Sequence, residues 1–241
     1  PLYNWDYHKE QGYSWWIERL RHALGQTDIV RIDHFRGFES YWEVPFGAET
    51  ARKGDWVMGP GDALFNTMKA ELGDLPIVAE DLGVITPEVE ALRDRQQFPG
   101  MRVLQFEVGN DSFSIESIGS NSVCYTGTHD NDTTVGWFTG SSDDNRSPEE
   151  IEHTRRVVLA NTGGSAETIS QDLIRLAFSS EAVMAIAPMQ DYLGLGSESR
   201  FNRPGTSEDN WRWRLSFDQL SPSLKSSVRD MVVAGRRAPQ A

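Results

Sequence analysis

The sequence carries one cysteine, Cys124, among its 241 residues. A lone thiol forms no internal disulfide and builds no cysteine-rich zinc site. Clusters of basic residues are also missing: 23 Lys and Arg stand against 36 Asp and Glu, a formal charge of −13. Nucleic acid and anionic membranes draw their affinity from basic side chains, so both are poor partners here. No apolar run approaches the ~20 residues that span a bilayer, and no signal-peptide pattern is visible. Zinc-hydrolase spacings are absent as well, with no His-x-His and no His-Glu-x-x-His. There is no initiator methionine: Pro1-Leu-Tyr-Asn-Trp reads like the middle of a longer protein.

What is present is a globular composition, 38% hydrophobic and 24% charged. Short apolar runs alternate with amphipathic stretches. Thr86-Pro87-Glu88 opens a helix over 87–97, offering a side-chain oxygen to a free amide and placing Pro where no N–H is needed. Ser147-Pro148-Glu149-Glu150 is a capping box ahead of 148–161, and Ser221-Pro222 opens 222–234. Three- and four-residue apolar spacing predicts further helices over 13–24, 61–72 and 166–179. Between them lie five strand candidates: Ile29–Asp33, Pro76–Glu80, Arg102–Phe106, Val123–Thr126 and Val183–Ala187. Strands separated by helices imply right-handed crossovers and a parallel sheet. The stretches 107–122 and 192–213 read as loops.

Acidic or His-Asp residues follow these strands: Asp33-His34, Glu80-Asp81, His129-Asp130 and, slightly later, Gln190-Asp191. Asp and Asn often follow strands merely because they make turns. Parallel strands end on one face, however, and in a β/α barrel that face carries the chemistry. Three acids, Asp33, Glu80 and Asp130, suit glycosyl transfer. One carboxylate attacks the anomeric carbon, and a second protonates the leaving oxygen and later deprotonates the acceptor. A third favours the positive charge that develops on the ring. The alternative is a metal-dependent hydrolase using His34 and His129. It is the weaker reading, because the remaining His8, His22 and His153 lie on helices or near the start. Arg31, two residues before Asp33, points to the same side of a strand, where a guanidinium favours a charged neighbour. Aromatic surfaces also suit sugars. Phe35, Phe38, Tyr41, Trp42, Phe106, Trp137 and Phe138 fall near the strand-end face, while Trp15, Trp16, Trp211 and Trp213 are assigned to core packing.

The segments Arg31-Ile-Asp33-His34-Phe35-Arg36-Gly37, Ala79-Glu80-Asp81-Leu82-Gly83 and Thr126-Gly-Thr128-His129-Asp130-Asn131-Asp132-Thr133 resemble the catalytic strand-end motifs of glycoside hydrolase family 77, the amylomaltases or 4-α-glucanotransferases. The segments 86–93, 98–101, 194–205 and 210–214 resemble the same family, in order, so the likeness covers nearly the whole chain. It implies Asp33 as nucleophile, Glu80 as general acid/base and Asp130 as transition-state stabiliser. Arg31 and His129 match residues that orient the nucleophile and bind sugar hydroxyls. Asn202 matches a substrate-contacting position, and Phe106 an aromatic near the cleft. The implied reaction transfers α-1,4-glucan segments from maltooligosaccharides to the 4-hydroxyl of glucose or another maltooligosaccharide. It proceeds by double displacement and needs no cofactor and no metal.

The family's fold is an eight-stranded barrel, so the expected fold class is α/β: a partial TIM-type (β/α)8 barrel, holding about the last five strands with their helices. Residues 1–241 would then be the C-terminal part of the catalytic domain, without its first strands and inserted subdomains. Five strands cannot close such a barrel, and the isolated chain is expected to be inactive. The expected compartment is the cytoplasm, or a plastid stroma in a photosynthetic eukaryote. An α-glucan hydrolase or branching enzyme would share the three acids. A non-catalytic glucan-binding domain would be free to lose one of them, yet all three are intact.

Overall fold

The computed structural model describes residues 2–141 and 144–238; the opening Pro1, Ser142, Asp143 and 239–241 lie outside the described residues. The chain divides into two compact units, Pro1–Met101 and Arg102–Ala241, each with its own core.

The first unit opens with helices α1 (Trp5–Glu10) and α2 (Ser14–Leu24). Strand β1 (Val30–Ile32) follows, then strands β2 (Ser40–Glu43) and β3 (Asp55–Met58). Helix α3 (Gly61–Leu72), strand β4 (Ile77–Ala79) and helix α4 (Pro87–Arg95) complete it. β1 and β4 pair in parallel, Val30 against Ile77 and Ile32 against Ala79, with α3 in the crossover between them. The parallel pairing expected from strands separated by helices is therefore present. Its core is aromatic: Phe35 stacks on Phe65 at 5.6 Å between ring centroids, and Phe98 meets both edge-on. All three are buried, and burying each contributes roughly 1.5–3 kcal/mol.

Strand β5 (Gly100–Val103) belongs to a three-stranded sheet of order β5-β6-β7. The second unit continues with helix α5 (Leu104–Glu107), strand β6 (Ser122–Tyr125) and helices α6 (Thr134–Thr139), α7 (Pro148–Thr162) and α8 (Ile169–Ser179). Strand β7 (Met184–Ile186), helix α9 (Met189–Tyr192) and helix α10 (Pro222–Ala234) follow. β6 and β7 are parallel, Val123 against Met184. α8 buries Ile169, Leu173, Ile174, Ala177 and Phe178, a single helical stripe that packs with Leu104, Val108 and Val158.

Local rules explain most element ends. Ser147 closes the expected capping box, its hydroxyl accepting from the Glu150 amide at 3.2 Å while Glu150 reaches back to the Ser147 amide at 2.6 Å. Ser221 caps α10 through the Leu224 amide at 3.1 Å. Thr86 takes the N-cap position of α4 but makes no capping bond; its hydroxyl engages Glu88 instead.

Other expectations are corrected. The strand expected over 102–106 begins earlier, at Gly100, and stops at Val103. There the chain coils so that Leu104 and Val108, four residues apart, drop into one core, and Phe106 stands on α5 rather than in a strand. The antiparallel β2–β3 pair, with Trp42 opposite Trp56, was not expected, because its long connection carries no tight-turn signal. Phe35, Phe38 and Phe138 are core residues, not strand-end surfaces. Trp15 and Trp211, assigned to the core, are exposed.

Candidate active site

In the first unit, β1 sets Arg31 and Asp33 on one side, as strand alternation requires. Arg31 Nη2 donates to Asp33 Oδ1 at 2.7 Å, and Arg31 Nε reaches Met101 Sδ at 3.3 Å. The Asp33 side chain is 78% exposed, open to attack a ligand. It lies on a cleft of about 500 Å³ lined also by Trp5, Trp16, His34 and Tyr41.

The next residue turns the chain sharply. His34 adopts a left-handed conformation, φ 50° and ψ 52°, which costs a non-glycine residue about 1 kcal/mol. In return its amide points at Glu80, donating to Oε2 at 2.7 Å. The Leu82 amide donates to Glu80 Oε1 at 2.9 Å, so each oxygen of that carboxyl is held by main chain. The Glu80 backbone is itself fixed, its N–H donating to Ile32 and its carbonyl accepting from Phe35, both at 2.9 Å. Asp33 and Glu80 thus stand at the ends of paired strands, joined by one strained residue.

The adjacent Asp81 has a different fate. Its side chain is only 6% exposed, pairs with Arg93, and accepts the Met101 amide at 2.7 Å. A Cβ on Gly100 would press on the Asp81–Arg93 ion pair, which would have to shift to admit it. Burial separates the two neighbours: Asp81 is enclosed, whereas Glu80 is only half-buried.

In the second unit, the loop after β6 binds itself. Asn131 Oδ1 accepts from the Thr128 amide at 2.9 Å and its hydroxyl at 2.8 Å. Asp130 Oδ1 accepts from Asn202 Nδ2 at 2.6 Å, and the Asp130 carbonyl from Arg200 Nη2 at 2.6 Å. His129 Nε2 lies 3.5 Å from Asp130 Oδ2, and the His129 ring faces Trp211 at 5.3 Å. His129, Asp130 and Asn202 are therefore brought together. Phe106, exposed on α5, makes no ring contact with His129 or Trp211 among the described residues.

Arg200 and Trp211 are partners that sequence reasoning missed. Arg200 lay within a motif segment whose only residue given a role was Asn202. Trp211 reads as a core residue in the sequence. Cys124 is chemically quiet: burial pushes its thiol up to about 12. Among the described residues, no cluster of three or more His, Cys, Asp or Glu could hold a metal ion.

The sequence profile of the 4-alpha-glucanotransferases, glycoside hydrolase family 77, matches residues 1–220. The chain belongs to this family. It is 48% identical over 240 residues to a 4-alpha-glucanotransferase of Streptococcus pneumoniae, covering 98% of this chain and 46% of that protein. It is 52% identical over 233 residues to one from Synechocystis, covering 95% and 45%. The solved amylomaltase of Streptococcus agalactiae, in complex with acarbose, superposes with a TM-score of 0.89 at 35% identity, over 99% of this chain and 48% of that one. The chain thus spans about half the length of the 4-alpha-glucanotransferases it matches. Its α/β architecture with parallel strands is the one that this amylomaltase shares.

Proposed function

We propose that this chain carries the catalytic acids of a retaining 4-α-glucanotransferase. The arrangement at the ends of β1 and β4 carries the reading: an exposed Asp33 held by Arg31, next to a Glu80 fixed by two main-chain amides. In the first step an Asp33 oxygen attacks the anomeric carbon of an α-1,4-glucan. The bond to the glycosidic oxygen breaks, and Glu80 gives that oxygen its proton. The glycosyl-enzyme ester then meets the 4-hydroxyl of glucose or a maltooligosaccharide. Glu80 takes the hydroxyl proton, the new bond forms with net retention, and Asp33 is released. Asp130 binds ring hydroxyls and favours the cationic transition state, with His129 and Asn202 as further sugar contacts and Phe106 as an apolar wall. The family likeness supports these roles residue by residue, and none of them needs a cofactor or metal.

The same reading takes β1, β4, β5, β6 and β7 as the last five strands of a (β/α)8 catalytic barrel. Residues 1–241 alone are then inactive, because positioning of donor and acceptor accounts for roughly 7–11 kcal/mol of such a barrier. The proposed compartment is the cytoplasm or a plastid stroma, where the free, buried Cys124 stays reduced. No helix among the described residues is long and apolar enough to cross a membrane.

The test uses the full-length protein and maltotriose. Transfer should yield glucose together with longer α-1,4 oligosaccharides. Asp33→Asn should lower turnover by about 10³-fold or more and form no covalent adduct with an α-maltosyl fluoride, since an amide is no nucleophile. Unchanged disproportionation in that variant overturns the assignment. Predominant release to water marks a hydrolase instead, and new α-1,6 linkages mark a branching enzyme.

A further inference from the structure

Asp191, on the short α9, is a carboxylate that the reaction above does not use. It is 1% exposed. Its Oδ2 accepts from the Thr126 hydroxyl at 2.6 Å and from the Thr134 hydroxyl at 2.8 Å, while Oδ1 accepts from the Thr134 amide at 2.8 Å. Those two threonines bracket the loop that bears His129 and Asp130. Thr126 directly follows β6, and Thr134 begins α6. One buried carboxylate therefore ties together both ends of a seven-residue loop.

We propose that Asp191 is the positioning residue for Asp130, setting the loop so that the Asp130 carboxylate meets the sugar at the required place. The inference rests on the glucanotransferase reading of Asp130. Three features of the surroundings support it.

First, the anchor is itself fixed. The Ser170 hydroxyl of α8 donates to the Asp191 carbonyl at 2.5 Å, so the carboxylate is referred to the core stripe of that helix. Second, the neighbouring Gln190 donates from Nε2 to the Ser199 carbonyl at 3.0 Å. Ser199 directly precedes Arg200, and Arg200 and Asn202 grip Asp130 from the other side. Two consecutive residues thus locate both pieces of chain that converge on Asp130. Third, burial works against the charged carboxyl, raising its proton affinity, and the nearby Asp132 acts in the same direction. A well-packed apolar residue would serve stability at least as well in such a place. What it could not do is receive three donors from both ends of one loop.

The chemistry dictates the probe. In Asp191→Asn the side-chain oxygen can still accept the Thr134 amide, but the new amide nitrogen faces two hydroxyls that must reverse to accept from it. The loop keeps a filler of the same size but has one accepting oxygen where it had two. Because Asp130 acts at the transition state, kcat for maltotriose in the full-length protein should fall 10- to 100-fold, with KM within about twofold. The same change made in an Asp130→Asn background should cause no further fall, measured with α-maltotriosyl fluoride to keep residual rates readable. Thr134→Ser, which keeps both donors, should retain parental kcat, whereas Thr134→Val should not. Thr126→Val removes one donor at nearly constant volume. If Asp191→Asn does not fold, the kcat and background criteria pass to that variant. An unchanged kcat, a KM effect alone, or a full additional loss in the Asp130→Asn background each overturns the proposal. A parent protein that does not disproportionate maltotriose overturns the glucanotransferase reading and this inference with it. A transferring parent with an unaffected Asp191→Asn overturns the inference alone.

Discussion

Glu80 is held by amides at the ends of two paired strands, from His34 and Leu82, whereas Asp130 is held by Arg200 and Asn202, 70 and 72 residues further along. Main-chain donors at a strand end are set once the strands pair, because the register fixes where each amide points. Side-chain donors from a remote loop are set only when that loop is itself packed. The first arrangement costs one strained residue, His34. The second needs a chain of supports running through Gln190, Asp191, Ser170 and Ser199. An acid at one strand end therefore depends on a short stretch of backbone, and its counterpart in the other unit on much of that unit's tertiary structure.

The sharpest way to test that contrast lies in the adjacent pair Glu80 and Asp81. Asp81 is buried against Arg93, and removing it leaves the guanidinium with Asp94 as its remaining partner and orphans the Met101 amide. Asp81→Ala should cost about 2–3 kcal/mol in urea unfolding. Glu80→Gln turns an amide NH2 toward one of two main-chain donors, so it should cost about 1–2 kcal/mol, and it should cut transfer roughly 10²- to 10⁴-fold in the full-length protein, most for donors with poor leaving groups. If the two variants exchange these phenotypes, the division of labour at this strand end is wrong.

The remote support of Asp130 predicts a smaller loss. Asn202→Ala removes a hydrogen bond to a carboxylate and should lower kcat/KM by roughly 10- to 100-fold. Arg31→Lys, a change at the other acid, keeps charge near Asp33 and should cost less than Arg31→Ala. If Asn202→Ala is silent, the Asp130 carboxylate does not depend on that remote donor.

The smallest effect concerns acid stability. The Arg146 side chain beside Asp144 holds its carboxyl below the usual carboxylate range and ties it towards the Trp137 carbonyl. A depressed folded value means that this stabilisation is present above the ordinary Asp pKa of about 3.9 and disappears as the pH falls through the lower folded value. Asp144→Asn should lose about 1 kcal/mol at pH 7 and flatten the fall in stability below pH 4. A pH-stability curve parallel to that of the parent would remove Asp144 from the account.

Much of this was legible in the sequence. The helices over 61–72 and 222–234 fall where apolar spacing and a Ser-Pro start place them. All five strand candidates correspond to strands, one shifted toward Gly100. The short helices α1, α5, α6 and α9 were not legible, because four to six residues are too few to show a period. The exposure of Trp15 and Trp211 was hidden for a related reason: an indole is apolar in any sequence, and only its neighbours say whether it is covered.

The sequence by itself determined the local pieces, because caps, apolar periods and strand alternation act over a few residues. It also supplied the acids at the strand ends and, through their surrounding motifs, the likeness to one family. That likeness implies which acid does what; tertiary structure alone decided what surrounds each of them. Asp33, Glu80, Asp81, Asp130 and Asp191 are the same two functional groups on paper. What separates them is whether a carboxylate faces an open cleft, a half-buried guanidinium, or three converging donors. Those partners come from residues up to 72 positions away, and no local rule brings them together.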